Sequence, residues 1–170
     1  MATAPLPEYW MRGPVEGIAP LLQPVAHALL QAREEVVSRM QNFPDGHLWQ
    51  NPAGPATPGF HLQHLSGVID RLFTYAKGES LSARQMEQLK AESVQTETTT
   101  QALLDRFNQQ VDAALEQLKN TPEYSLTDFQ GVGRKQLPST VMGLLFHAAE
   151  HTMRHNGQLL VTAQFLTNKA

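Results

Sequence analysis

The chain has 170 residues, 41% of them hydrophobic and 17% charged, with a formal net charge of −3 and no cysteine. That is enough apolar material for one substantial core, which argues against disorder and for a single domain over residues 1–170. No basic run exceeds Arg134-Lys135, so a nucleic-acid footprint is not expected, and without cysteine the chain has no disulfide, no thiolate metal ligand and no thiol nucleophile of its own.

The opening stretch, MATAPLPEYWMRG, lacks a charged segment followed by an apolar run and does not read as a signal peptide. No apolar stretch nears the ~20 residues that span a bilayer. The expectation is a soluble, cytoplasmic protein without membrane contact. Residues 1–19 hold three prolines and two glycines and read as an irregular arm. The spacing of Val25, Ala28, Leu29, Ala32, Val36, Val37 and Met40 then predicts a first helix with one buried face, opened by Pro20 or Pro24. Residues 42–57 form a long proline-rich connection that carries Trp49. Thr57-Pro58 suits the cap and first position of a second helix, running to about Lys77 and stopped by Gly78.

Ser82 begins a short extra helix, SARQMEQLKA, followed by the polar break ESVQTETTT. From about Thr98, the residues Leu103, Leu104, Phe107, Val111, Ala114, Leu115 and Leu118 mark another helical stripe that ends near Asn120. Gly131, Gly133 and Pro138 make 120–138 a loop with at most a loose hairpin. A last helix runs from about Ser139 to Leu166. Four long helices with almost no strand signal mean an all-α four-helix bundle with two long connections, 42–57 and 120–138.

The last helix carries the main chemical signal, in FHAAEHTMRHNGQLL. Residues four apart on a helix drift by only about 40°, so His147, His151 and His155 fall on one narrow stripe. Leu144, Ala148, Leu159 and Phe165 share its arc, which directs the stripe to the core. Met142, Phe146, Met153 and Leu160 form a second apolar arc, a possible face for a homodimer. Three imidazoles in a row are costly to bury without a shared partner. Two at i and i+4 can converge on one ion, with zinc–nitrogen bonds of ~2.0–2.1 Å, and a further ligand must then come from a facing helix. The second helix offers His61 and His64 in FHLQHLSGVIDRLF, beside its apolar residues Leu65, Val68, Leu72 and Tyr75. Five of the seven histidines thus sit in two core-facing clusters, and a divalent metal site is the expected consequence. On the helical wheel His61 lies nearer the middle of its face than His64. His147 competes with His155 as the partner of His151, which belongs to either pairing.

The remaining polar landmarks have plainer readings. His27 and His47 read as surface or capping groups. Tyr75 reads as a packed side chain and Arg134-Lys135 as a solvated pair, although both could face an anionic cofactor. Trp10, Arg12 and Trp49 are expected to pack over the bundle. The run His147-Ala-Ala-Glu150-His151 also fits the inverted zinc-peptidase pattern, in which the glutamate is the general base. That site needs a downstream acidic ligand, and no Asp or Glu follows Glu150. An ion pair with Arg154, four residues on, accounts for Glu150.

With HLQHL on the second helix and EHTMRHNGQ on the last, the chain resembles the DinB-like family of bacterial four-helix metalloproteins. In that family one histidine of the second helix and an H-x-x-x-H pair on the last, often followed by Gly-Gln, bind a divalent metal. Carried over by position, the resemblance implies His64, His151 and His155 as ligands, with His61 and His147 orienting them, touching a bound molecule or replacing one of them. It also implies chemistry, since several relatives are similar to transferases or isomerases that use low-molecular-weight thiols. Three imidazoles leave a coordination position open, as catalytic sites do, and suit zinc or nickel, with iron or manganese as further options. The expectation is a metal-dependent enzyme that activates an external thiol or water for a small-molecule substrate. The alternative is a non-catalytic bundle that binds metal or a small ligand. Because ligating imidazoles must be neutral, metal affinity is expected to weaken as pH falls through about 6.5.

Overall fold

The computed structural model of the protein describes residues 6–52, 54 and 56–168. Residues 1–5 of the expected arm, 53 and 55 in the first long connection, and 169–170 of the expected domain span lie outside the described residues. The regular elements are helices α1 (Gln23–Met40), α2 (Pro58–Ala76), α3 (Ala83–Ala91) and α4 (Thr100–Lys119). They are followed by the strands β1 (Phe129–Val132) and β2 (Leu137–Thr140) and the long helix α5 (Val141–Thr167).

Helices α2 to α5 each start where a side chain satisfies a free backbone N–H, whereas α1 follows directly on a short 3-10 turn with no side-chain cap. Thr57 accepts from Phe60 N ahead of α2, with Pro58 at the first helical position. Ser82 and Gln85 form a reciprocal capping box at α3. Thr99 caps α4 and Thr140 caps α5. Beyond α2, Gly78 takes the left-handed conformation (φ 76°) that ends a helix most easily without a Cβ. The predicted boundaries differ mainly at α5, which starts at Val141 because Ser139 and Thr140 pair in the hairpin. There Phe129 faces Thr140 and Val132 faces Leu137. This two-stranded ribbon is the only sheet among the described residues, and the all-α expectation holds.

Helix α2 packs against α5 and α4, and α1 packs against the same two helices. The cyclic order is therefore α1, α5, α2, α4, with α1 diagonal to α2 and α4 diagonal to α5. Consecutive helices on a diagonal cannot be joined by a tight turn, which is why both long connections exist. One continuous core fills the bundle, from Leu22, Leu29 and Val36 on α1 and its approach to Leu62, Leu65, Ile69, Phe107, Val111, Leu145 and Leu159. Helix α2 is buried nearly all round, since α3 covers part of its remaining face. No helix among the described residues is long and apolar enough to cross a membrane.

The arm is tied to α1. Arg12 makes two hydrogen bonds to Glu34 (2.7 and 2.9 Å) and lies over the Tyr9 ring, and His27 Nε2 lies 3.0 Å from Gly13 O. Trp49 packs on the core as expected, against Gly59, where any Cβ would meet its ring at 2.9 Å. Trp10 does not. It is 65% exposed, with its indole N–H donating to Glu8, because the arm holds on through Arg12 and leaves the ring outside. On α5 the expected arcs also need correction. Leu144, Ala148 and Leu159 are buried, but Phe165 of the core-facing arc is exposed, since the bundle covers a narrower strip than that arc spans; Phe146, on the second arc, is exposed as well.

Candidate metal centre

The antiparallel contact of α2 and α5 brings the two histidine clusters together. His64 Nε2 lies 3.0 Å from His151 Nε2, and the His64 and His155 ring centroids are 4.3 Å apart. One ligand atom from each of His64, His151 and His155 lies within 4.8 Å of the others. Two nitrogens on one tetrahedral zinc, bonded at ~2.0–2.1 Å, are separated by ~3.3 Å, so the observed spacing fits a shared divalent cation.

The environment also keeps these rings in the form that binds metal. Burial, and then the neighbouring His64, His151 and His61, push His155 down to about 4. His61 is likewise pushed down to about 4, by burial and then by His64. His151 is lowered by burial first and by His64 next. These three are therefore neutral at pH 7, with lone pairs available.

His64 Nδ1 sits 2.7 Å from Glu92 Oε2. Burial alone would raise the Glu92 carboxyl, but hydrogen bonds from His64 and Arg71 outweigh it and hold the group below its ordinary value. An ionised carboxylate only accepts, so His64 donates to it from Nδ1, which leaves Nε2 as the nitrogen turned towards His151. Arg71 donates to the other carboxylate oxygen at 2.5 Å. Gln63 donates to the Glu92 carbonyl at 3.0 Å and fixes the end of α3 on α2. His61 Nδ1 faces His155 Nδ1 at 3.2 Å, while His151 Nδ1 is buried with no hydrogen-bond partner among the described residues. Phe60 stacks on His64 (5.3 Å, 11°) and meets His61 and His155 edge-on, forming an aromatic wall.

The structure thus joins His64 to His151 and His155, with the buried His61 behind them. His147 departs from the core-facing expectation. Its side chain is 50% exposed and its Nδ1 lies 2.6 Å from Glu150, which also receives Arg154 at 2.8 Å. His147, Glu150 and His151 could approach one ion as well, but that carboxylate is already engaged on the surface. Two steps of about 40° separate His147 from His155 around α5, and that drift turns the His147 ring out to solvent. Tyr75 and Arg134 are also away from the histidines, lining a separate cleft of about 640 Å³ with Met86 and Gln130. Sequence reasoning missed Glu92, Arg71 and Phe60. The available signal was Arg71, a charge on a helix too apolar to leave it without a partner.

The sequence profile described as the DinB superfamily matches residues 28–159. No curated protein matches the chain. Among solved structures, a conserved protein from Enterococcus faecalis superposes with a TM-score of 0.68 at 16% identity, covering 86% of this chain and 97% of that one. A protein from Streptococcus pneumoniae gives 0.63 at 12% identity, covering 85% and 88%. A DinB-like protein from Bacillus subtilis gives 0.61 at 20% identity, covering 85% and 92%. At these identities the likeness speaks for the fold.

Proposed function

This chain belongs to the DinB superfamily, and on that premise we propose that it is a divalent-metal-dependent enzyme which activates a low-molecular-weight thiol or water at His64, His151 and His155. The observation that carries the proposal is the approach of His64 Nε2 to His151 Nε2 across two helices, with the far nitrogen of His64 held by a carboxylate. A divalent cation held there would supply a Lewis acid able to lower the pKa of a thiol or a water molecule. Three protein donors leave room for such a guest, and zinc or nickel suits an all-imidazole set best.

The chain's own residues set the conditions. Neutral imidazoles add no charge, so the site's attraction for an anionic thiol is undiminished. Phe60 covers one side of His64 and restricts where a guest can enter. With no cysteine anywhere in the sequence, the thiol must come from a small molecule, and a group transfer to or from that thiol is the reaction class that follows.

Two measurements test this. Elemental analysis of protein purified without added metal should give one divalent ion per chain. Thermal denaturation with glutathione, mycothiol or bacillithiol should then raise Tm by roughly 5–10 °C at a hundredfold excess over Kd, in the metal-loaded protein only. Metal without any thiol response or turnover would leave a metal-binding bundle; no metal would sink the enzyme reading and leave at most a bundle that binds a small ligand.

A further inference from the structure

Helix α2 presents His64, Gly67 and Arg71 three and four residues apart, on one face. Glu92, at the end of α3, lies across that face and is only 4% exposed. One of its oxygens receives His64 and the other receives Arg71. Gly67 makes this crossing possible. A Cβ there would overlap Glu92 Oε1 and come within 2.6 Å of Arg71 Nη1, so any larger residue forces the two side-chain ends out of this arrangement. A buried ion pair is an expensive way to fasten a short helix, and apolar packing would serve that purpose as well. Its geometry makes sense if the pair acts on His64.

We propose that Glu92, held by Arg71 across Gly67, is the positioning residue that fixes His64 as an Nε2 donor and sets the metal affinity of the centre. This rests on the metal reading above. The carboxylate keeps the proton on Nδ1, stops the ring from rotating about its side-chain bonds, and increases the electron density at Nε2. Arg71 gives Glu92 one orientation and is not itself a ligand. Neither His151 nor His155 is held by a carboxylate, so the effect is specific to the α2 ligand.

The test is titration of metal-free protein with Co2+ and Zn2+. Glu92→Gln keeps the shape of the side chain but removes its charge, and should weaken both metals ten- to a hundredfold while shifting the Co2+ absorption bands. Gly67→Ala, which alters neither ion, should do the same. Because Glu92→Gln strands a buried Arg71, the double variant Glu92→Gln/Arg71→Met is measured beside it. It should recover thermal stability yet keep the weak affinity. If affinity returns with stability, or if folded Glu92→Gln binds within about twofold of the wild type, the inference is overturned and Glu92 is structural. A wild-type protein that binds neither metal would instead overturn the metal reading, and the inference with it.

Discussion

His151→Ala should lose its stoichiometric metal. Zinc bound by small protein sites is worth about 10–16 kcal/mol at neutral pH, and removing one of three donors takes away on the order of a third of that. The expected loss is therefore roughly 10²- to 10⁴-fold in affinity, enough to empty the site during purification. The fold should survive. His151 is only half-buried, alanine is the best helix former, and the core on either side is made by Ala148, Thr152 and Leu159. Circular dichroism of the variant should match the wild type while its metal content falls to background. His147→Ala and His27→Ala are the controls, and both should retain one ion per chain. If His147→Ala empties the protein instead, the ion belongs with Glu150 on the outer end of the stripe.

Acidification should have the second largest effect, and its sign is fixed by the direction of the histidine shifts. His61 and His155 sit at about 4 in the fold, against 6.5 for a free imidazole. Below pH 6.5 the unfolded chain takes up protons that the folded chain refuses, so stability falls as pH falls from about 6.5 towards 4. His61 alone, almost fully enclosed, contributes a slope of at most about 1.4 kcal/mol per pH unit in that window. Denaturant unfolding of the metal-free protein should therefore show a midpoint that drops steadily between pH 7 and 4. A flat profile would mean that these rings are not held neutral. The same shifts revise the expectation that metal is released through pH 6.5. His155 does not take a proton until pH approaches 4, so equilibrium dialysis should find release centred well below 6.5. Loss centred at 6.5 or above would contradict the enclosed geometry.

Much of the scaffold was legible because it depends on local rules. Thr57-Pro58, Ser82 with Gln85, and Gly78 are chemical punctuation that works within a few residues. The site was legible only in part. Helical angle placed His61 at the centre of its face, where it is buried, and that is why it stands outside the group of three that could hold an ion. It is sealed inside against His155, whereas a site that admits a guest must use the rim, where His64 stands. His147 and His155 stand about 80° apart on the helical wheel, and which edge of their stripe meets α2 is decided only by how the two helices pack. Arg71 signals a partner, but the identity of that partner, Glu92, was beyond reach for a different reason. Its carboxylate comes from the end of α3, in a stretch whose polarity reads as solvent exposure, and only the packing of α3 on α2 turns it inward.

The central claim is that imidazoles from α2 and α5 share one cation. Anomalous scattering from a crystal of the zinc-loaded protein, recorded on either side of the zinc edge, tests it most directly. A single strong peak is expected, bounded by the rings of His64, His151 and His155. A peak at His147 and Glu150, or no peak in a crystal whose solution held excess zinc, would contradict it.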